Sequence, residues 1–572
     1  MGIIGILAAA GYFFMRSFLH AENKPESTAP TKLEAAIDLR PSIIAKINDI
    51  INKGSNGLYS FSTKDMTVDV LAGSVLFLQP KLTPDFSKLP QLDKEKRAPD
   101  DVFTISLNSL KIKGLGLKDI LSIKSIDLDT LEFIKPLITV YHKKRSYNNT
   151  AQDTATLYQK IMHNLEHLGV KKIIIKEGTL INENVAKGKK TKLDNLFVVL
   201  DNVVIDSTTQ YSKDRFLFAK NAAIEIKNYR AKTANDLYQL STDVVHISQN
   251  KNSVTITNLS LLPTLNKKAF ARKVGHMQER YSIQVPSIQL KNLDWWALLN
   301  EEELKASEAV VSNAKFDVYL DRSQPSSGKS KVGMYPHQLL MKLPMKVNIR
   351  KLNLVNARVT YTEFNPLSEK SGTLYLDHLS AQATNLTNEK DQITKGRFAQ
   401  VNAKAMVKES IPLTAHLTFD LAKYKQGKFT AQLSVGGTND RKLVNDIAEP
   451  LGLLSIKTGT VTQLKSTING TNTQGFGTVL LTYQNLHIQM LKKEEEGKGL
   501  AKRTLISKLA NFLVIHDNNP QKGKKAVPEQ ASFTRDPEGT FFNLIWKTTL
   551  VGILKTIGAP AKLASKKSAP AS

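Results

Sequence analysis

Residues 413–435 read LTAHLTFDLAKYKQGKFTAQLSV. Leu413, Ala415, Leu417 and Phe419 alternate with other residues, and Phe429, Ala431, Leu433 and Val435 do the same after a short polar link that carries Gly427. Alternation of period two puts one apolar row on one side of an extended chain, whereas an amphipathic helix needs steps of three and four. Two such rows joined by a turn-forming segment predict an antiparallel pair of strands with one apolar face.

The same spelling extends in both directions. Toward the N-terminus it recurs at Phe103 and Ile105, Leu110 and Ile112, Ile138 and Val140, Phe216 and Phe218, Ile288 and Leu290, Phe316 and Val318, and Leu352 and Leu354. Toward the C-terminus it returns at Val479, Leu481 and Tyr483 and at Leu486, Ile488 and Met490. The expectation is a mainly β chain: an elongated, curled antiparallel sheet of repeated strand units, with short helices between them. A sheet with one apolar face must cover it with a second layer, close on itself, or fill it with a ligand. Few helices are available as a cover, so the expected product is a groove. Its candidate lining is Phe103, Ile105, Leu110, Ile112, Ile138 and Val140 in the first half, and Ile288, Leu290, Phe316, Val318, Leu352 and Leu354 in the second.

An internal repeat supports one sustained architecture. SLKIKGLGL from Ser109 matches SIQLKNLDW from Ser287, and ITVY from Ile138 matches FDVY from Phe316, both 178 residues on. Each copy continues with a helical pair, Ile120-Leu121 or Leu298-Leu299. A weaker echo relates KIIIKEGTLIN at Lys172 to KLNLVNARVTY at Lys351.

Helical spacing is confined to a few places. Residues 32–57 read as a helical cap kinked near Pro41 and stopped by Gly54 and Gly57. Asp440–Leu454 reads as a helix capped near Asn439 and bent at Pro450. Residues 540–557 carry Phe542, Trp546, Leu550, Ile553 and Ile557 on one stripe, which fits a helix that packs on the sheet or contacts a membrane. The charged or Gly/Ser-rich stretches Pro90–Asp101, Asn184–Lys192, Arg322–Val332 and Lys492–Lys502 read as surface loops.

The N-terminus carries a location signal. GIIGILAAAGYFFM, Gly2 to Met15, is apolar throughout and precedes Arg16, so residues 1–21 are expected to be a membrane anchor or a secretion signal. Residues 22–31 are polar and proline-bearing, as a tether would be. Residues 58–491 form the repetitive groove region, and residues 492–572 a C-terminal region with the amphipathic helix and a disordered tail.

Catalytic chemistry finds little support. There is no cysteine, which excludes disulfides and thiolate catalysis. Neither Gly188-Lys189 nor Gly328-Lys329-Ser330 has the upstream glycine of a phosphate loop, and His163 and His167, four apart on an expected helix, lack any catalytic partner pattern. No enzyme, metal or cofactor is expected. Lysine and arginine exceed aspartate and glutamate by 79 to 52, a net charge of +27, which attracts anionic surfaces. Because the aromatic residues sit in phase with aliphatics rather than with lysines, lipid headgroups fit that charge better than nucleic acid.

In Leu58–Asp85, Ser109–Tyr141 and Ala448–Leu491 the chain resembles the AsmA-like family of envelope proteins, which includes TamB-type relatives. That resemblance implies a membrane-anchored body in the periplasm of a Gram-negative-type envelope, with anchorage in the inner membrane. It also implies a bridge-type apolar groove for phospholipid or another acyl lipid, used in lipid transport or outer-membrane maintenance, with other envelope proteins as further partners. Two alternatives remain open: a structural scaffold built on a conventional β-sandwich, and a salt-sensitive binder of polyanions.

Overall fold

A computed structural model of the chain describes residues 40–561, apart from 115–124, 149–166, 494–499, 503–516 and the single positions 56, 70, 187, 210, 211, 213, 217, 234 and 302, together with residue 564. The apolar N-terminal segment, the tether, the start of the expected cap, Ile120-Leu121, His163 and the tail from residue 565 lie outside the described residues. Strand makes up 57% and helix 17%, so period-two alternation is the rule and the helices are local devices. The chain divides into two compact units, Met1–Tyr229 with Thr242–Thr255, and Arg230–Ser241 with Ile256–Ser572.

In the first unit, helix Arg40–Gly54 carries Pro41 in its first turn, where a missing N–H costs nothing. It precedes short strands that come in consecutive pairs: β1 (Tyr59–Ser62) and β2 (Asp65–Asp69), β3 (Ser74–Leu78) and β4 (Lys81–Pro84), β5 (Asp101–Ser106) and β6 (Ser109–Lys113), β7 (Ser125–Ile134) and β8 (Leu137–His142). Each pair lies end to end along the next, so that β1 meets β4 while β2 meets β3, and β5 meets β8 while β6 meets β7. Each pair is therefore one interrupted strand. The long strands β9 (His167–Asn184), β10 (Lys189–Asp206) and β11 (Ala219–Lys232) follow.

The interruptions align into a crease across the sheet. Gln79, Lys135, Glu177 and Asn195 take φ of 51°, 49°, 52° and 52° there, and bulges mark the same place between β9 and β10. The ladder stays closed through it: Lys135 N–H donates to the Lys176 carbonyl at 2.9 Å, and Thr179 N–H to the Pro136 carbonyl at 2.7 Å. A residue in the left-handed region adds a half-step of alternation. Apolar positions consequently step by two within a half-strand and by five across the crease, as from Ile105 to Leu110, Phe133 to Ile138 and Ile175 to Leu180. Both halves then keep their apolar side chains in the interior. Across one half, register runs Met66, Phe77, Leu110, Phe133, Ile175, Val198 and Ile224. Across the other it runs Phe61, Leu82, Ile105, Ile138, Leu180 and Leu193. All of these are buried except Leu193, which is half-buried.

The second unit contains β14 (Arg280–Leu293), β15 (Glu303–Ser312), β16 (Lys315–Asp321), β17 (Lys346–Asn365), β18 (Lys370–Thr387), β19 (Phe398–Val407), β20 (Ile411–Asp420), β21 (Phe429–Thr438), β22 (Leu454–Gly470), β23 (Gln474–Lys493), β24 (Leu500–Lys502) and β25 (Glu529–Thr534). Between the units the chain runs through β12 (Tyr238–Ser248) and β13 (Ser253–Pro263), each of which contributes residues to both. The repeat seen in sequence reappears as register: Val102 opposes Tyr141 and Arg280 opposes Tyr319, while Ser109 opposes Ile134 and Ser287 opposes Ser312. The crease recurs as well, with Asn313 and Asn356 at φ 56° and 51°, Asn313 N–H on the Val355 carbonyl at 2.9 Å, and Arg358 N–H on the Ala314 carbonyl at 2.8 Å.

Several expectations are corrected. The sheet is not antiparallel throughout: β7 and β8 run parallel to β9, and β15 and β16 parallel to β17. The connections before β9 and β17 are long enough to carry the chain back to the starting edge, as a parallel pairing requires. Phe216 and Phe218 are not a strand: Phe218 has φ 65°, and the Arg215 guanidinium holds the Asn202 and Phe218 carbonyls in a turn that leads into β11. His167 opens β9 rather than lying on a helix, because Val170 and the β-branched run Ile173 to Ile175 override the four-residue spacing. A short helix, Leu89–Lys94, occupies part of the stretch Pro90–Asp101. The expected helix Asp440–Leu454 is α-helical over Arg441–Ile447, capped by Asp440, and then widens into a π turn at Ala448–Gly452 that absorbs Pro450.

Candidate functional site

Directly opposed residues in a ladder present their side chains to the same face. In the second unit one such row runs Leu290, Ala309, Leu352, Ala383, Val401, Leu417, Ala431 and Ile468 through β14, β15, β17, β18, β19, β20, β21 and β22. The row beside it runs Ile288, Val311, Leu354, Ala381, Ala403, Ala415 and Leu433. Across the crease, Phe316 and Val318 join Val359 with Leu376 and Tyr361 with Leu374. The opposite face is polar: Lys291 pairs with Glu308 at 3.0 Å, Asn353 donates to Glu308 at 2.6 Å, and Gln382 to Asn353 at 3.2 Å. The sheet therefore has one apolar side, and leucines alternating with alanines leave furrows along it.

One end of that side is closed. Helix Phe541–Thr556, capped by the Thr540 hydroxyl, lies on β22, β23 and β25 with Leu544, Ile545, Val551 and Leu554 buried. Its approach is close enough that a Cβ on Gly552 would stand 2.4 Å from Val479 Cβ, and one on Gly475 2.4 Å from Thr548 Oγ1. Ser466 and Thr549 hydroxyls meet at 2.9 Å in the contact. Tyr335, Phe419, Phe429 and Phe541 form an aromatic cluster at the adjoining edge, with ring centroids 4.7–5.6 Å apart in the four pairs that meet. Toward β14–β18 the face is only half covered: Ile288, Leu290, Phe316, Val318, Leu352 and Leu354 are all half-buried, and Ile288, Phe316 and Leu354 pack in one cluster.

The first-unit candidates differ. Ile105, Leu110, Ile112, Ile138 and Val140 are 1–5% exposed, and Phe103 is half-buried beside Val140. They line a closed interior. The C-terminal stripe is split as well: Phe542 and Trp546 are 69% and 49% exposed, Leu550 and Ile553 half-buried, and Ile557 buried. The residues that seat the helix fall between the stripe positions, because the helix is apolar on more than one side.

Ionic groups missed by the sequence reading sit on the same apolar side. Glu363 follows Tyr361 by two on β17; it accepts from the Tyr361 hydroxyl at 2.6 Å and pairs with Arg322 at 2.9 Å. Lys547 of the C-terminal helix is in the field of both; burial pushes its pKa down, Arg322 adds to this, and Glu363 opposes it. Burial also raises the Tyr361 phenol well above its ordinary value, reinforced by Glu363. A signal for Lys547 was present, since it is the one charge in the apolar run FFNLIWKTTLVGIL. Nothing in sequence would have joined it to Arg322 and Glu363. Among the described residues no cluster of three or more histidine, aspartate or glutamate side chains is placed to hold a metal ion, and no helix is long and apolar enough to cross a membrane. Compared with protein-family models and with curated protein sequences, the chain matches none.

Proposed function

We propose that the apolar face of the second unit binds the acyl chains of a lipid, and that the protein serves as a membrane-tethered carrier or chaperone of phospholipid in a cell envelope, in the manner implied by its resemblance to AsmA-like proteins. The observation that carries this reading is the half-exposed apolar side of β14 to β18, continuous from strand to strand, beside a helix that seals only the far end. Water-exposed apolar surface of this continuity is unfavourable by roughly 25 cal/mol for each Å2, which an acyl chain would relieve. Lys547 and Arg322 set two cationic side chains against the one carboxylate of Glu363 at the border of that surface, a positive balance that a phosphate headgroup would meet. Exposed Phe542 and Trp546 give the C-terminal helix an amphipathic tip suited to a bilayer surface.

Site-specific photo-cross-linking tests this. A benzophenone amino acid at Leu354, on the apolar face, should label phospholipid in cells, whereas the same group at Gln382, on the polar face, should not. Equal labelling at both positions, or none at Leu354, refutes the reading. The closed interior of the first unit favours a supporting role for that part, as a rigid scaffold for the open face or for other envelope proteins.

A further inference from the structure

The second unit also holds an open polar cavity of about 940 Å3, bounded by β18, β22, helix Arg441–Ile447 and the turn Ala448–Gly452. Ser371, Thr373 and Tyr375 on its wall alternate along β18 with Leu374 and Leu376, whereas Lys370 is in phase with Leu374, so the cavity is bounded by residues from both sides of the start of that strand. Its size falls in the range of sites for small polar molecules.

The balance of charge in the wall is informative. Lys370, Lys408, Arg441, Lys442 and Lys457 face it. Three carboxylates do too, and each is occupied locally. Asp440 accepts the Lys442 backbone N–H at 2.9 Å as a helix cap, Asp446 holds the buried Lys408 ammonium at 2.9 Å, and Glu449 accepts the Ser455 hydroxyl at 2.6 Å. The Arg441 guanidinium donates to the Lys457 carbonyl, which fixes those two residues beside each other. Lys370, Lys442 and Lys457 have no carboxylate partner among the described residues. Hydroxyls of Ser371, Thr373 and Tyr375 add uncharged groups able to donate. Five cationic side chains against three carboxylates in the wall, beside hydroxyl donors, give a net positive site that suits a compact anion with many oxygens better than a single carboxylate or an apolar body.

We propose that this cavity binds a phosphate-bearing polar ligand, either a free phosphorylated molecule or the headgroup of a phospholipid. None of the lysines and hydroxyl residues of this wall belongs to the apolar rows, so the site stands or falls independently of acyl-chain binding. Full-length protein in detergent is titrated calorimetrically with inorganic pyrophosphate, and the same protein is floated with vesicles of phosphatidylglycerol and phosphatidylcholine. Lys442→Ala with Lys457→Ala is compared with Lys329→Ala with Lys522→Ala, all four lysines being exposed, so that folding is preserved and net charge is matched. The first variant should bind pyrophosphate about tenfold more weakly, the loss expected when two charge-assisted contacts of modest strength are removed. The second should change affinity less than twofold. Loss of pyrophosphate binding alone identifies a soluble ligand, and a parallel loss of vesicle binding identifies a headgroup. Absence of binding by both probes, or equal losses in the two variants, overturns the proposal.

Discussion

His337 makes the second unit sensitive to mild acid. Its side chain is 3% exposed, its ring lies 5.1 Å from that of Phe419 and 6.3 Å from that of Tyr335, and neither ring nitrogen has a hydrogen-bond partner among the described residues. Burial depresses its pKa from 6.5 to about 4, and the nearby Asp420 carboxylate, itself held by Arg397, only partly opposes this. Between those two values the unfolded chain takes up a proton that the folded chain refuses, so stability is complete above pH 6.5 and falls as pH drops toward 4. At about 1.4 kcal/mol for each pH step, the loss is roughly 2 kcal/mol at pH 5 and about 3 kcal/mol at pH 4. Phe has the shape to fill the site without a titrating group, so His337→Phe should remove this share of the acid sensitivity. Urea unfolding followed by tryptophan fluorescence at pH 7, 6 and 5 measures it. Identical pH dependence in the two proteins would show that His337 is reached by water or a partner, and the argument from burial would be wrong.

Gly552→Leu should displace the C-terminal helix from Val479 and cost about 1–3 kcal/mol, read as a lowered melting temperature, while an equal change at exposed Trp546 should cost less. In the first unit, Arg145 is 5% exposed and its Nε donates to Asp93 at 2.6 Å, and hydrogen bonds from Arg145 and Tyr147 hold the Asp93 carboxyl far below its ordinary range. Arg145→Ala should destabilise this unit by about 2–3 kcal/mol at pH 7, and the gap from wild type should narrow in acid below pH 4, where the Asp93 contribution is lost. Ala403→Trp should fill a furrow of the apolar face between Ala381 and Ala415, reducing lipid cross-linking at Leu354 several-fold with little change in melting temperature. Unchanged cross-linking would mean that acyl chains do not pass there.

Much of the fold could be read from residues 413–435 and their echoes, because alternation is a direct record of which side of a strand is dry. The repeat was equally legible: Ser109 opens β6 and Ser287 lies midway along β14, yet the two oppose corresponding residues, Ile134 and Ser312, in the same register. Parallel pairing was not, since β9 and β17 spell the same alternation whichever way their neighbours run. Partition of the candidate groove also escaped, for Ile105 and Ile288 look alike in sequence yet one is sealed and the other half-exposed. Burial depends on what lies opposite, which local pattern does not encode. Alanines such as Ala383 and Ala403 carry the furrows but weigh little in an alternation count, and the charges at Arg322, Glu363 and Lys547 meet only through tertiary folding.

The crease imposes a reading frame on the strands that cross it. While the left-handed residue Lys135 is kept, removing one of its neighbours would shorten the step from Phe133 to Ile138 from five residues to four, and Leu137–His142 would turn inside out, exposing Ile138 and Val140 and driving Thr139 inward. Single-residue insertions and deletions at these positions should therefore be among the most damaging length changes in the chain, even though the segments lie between strands where such changes are ordinarily absorbed.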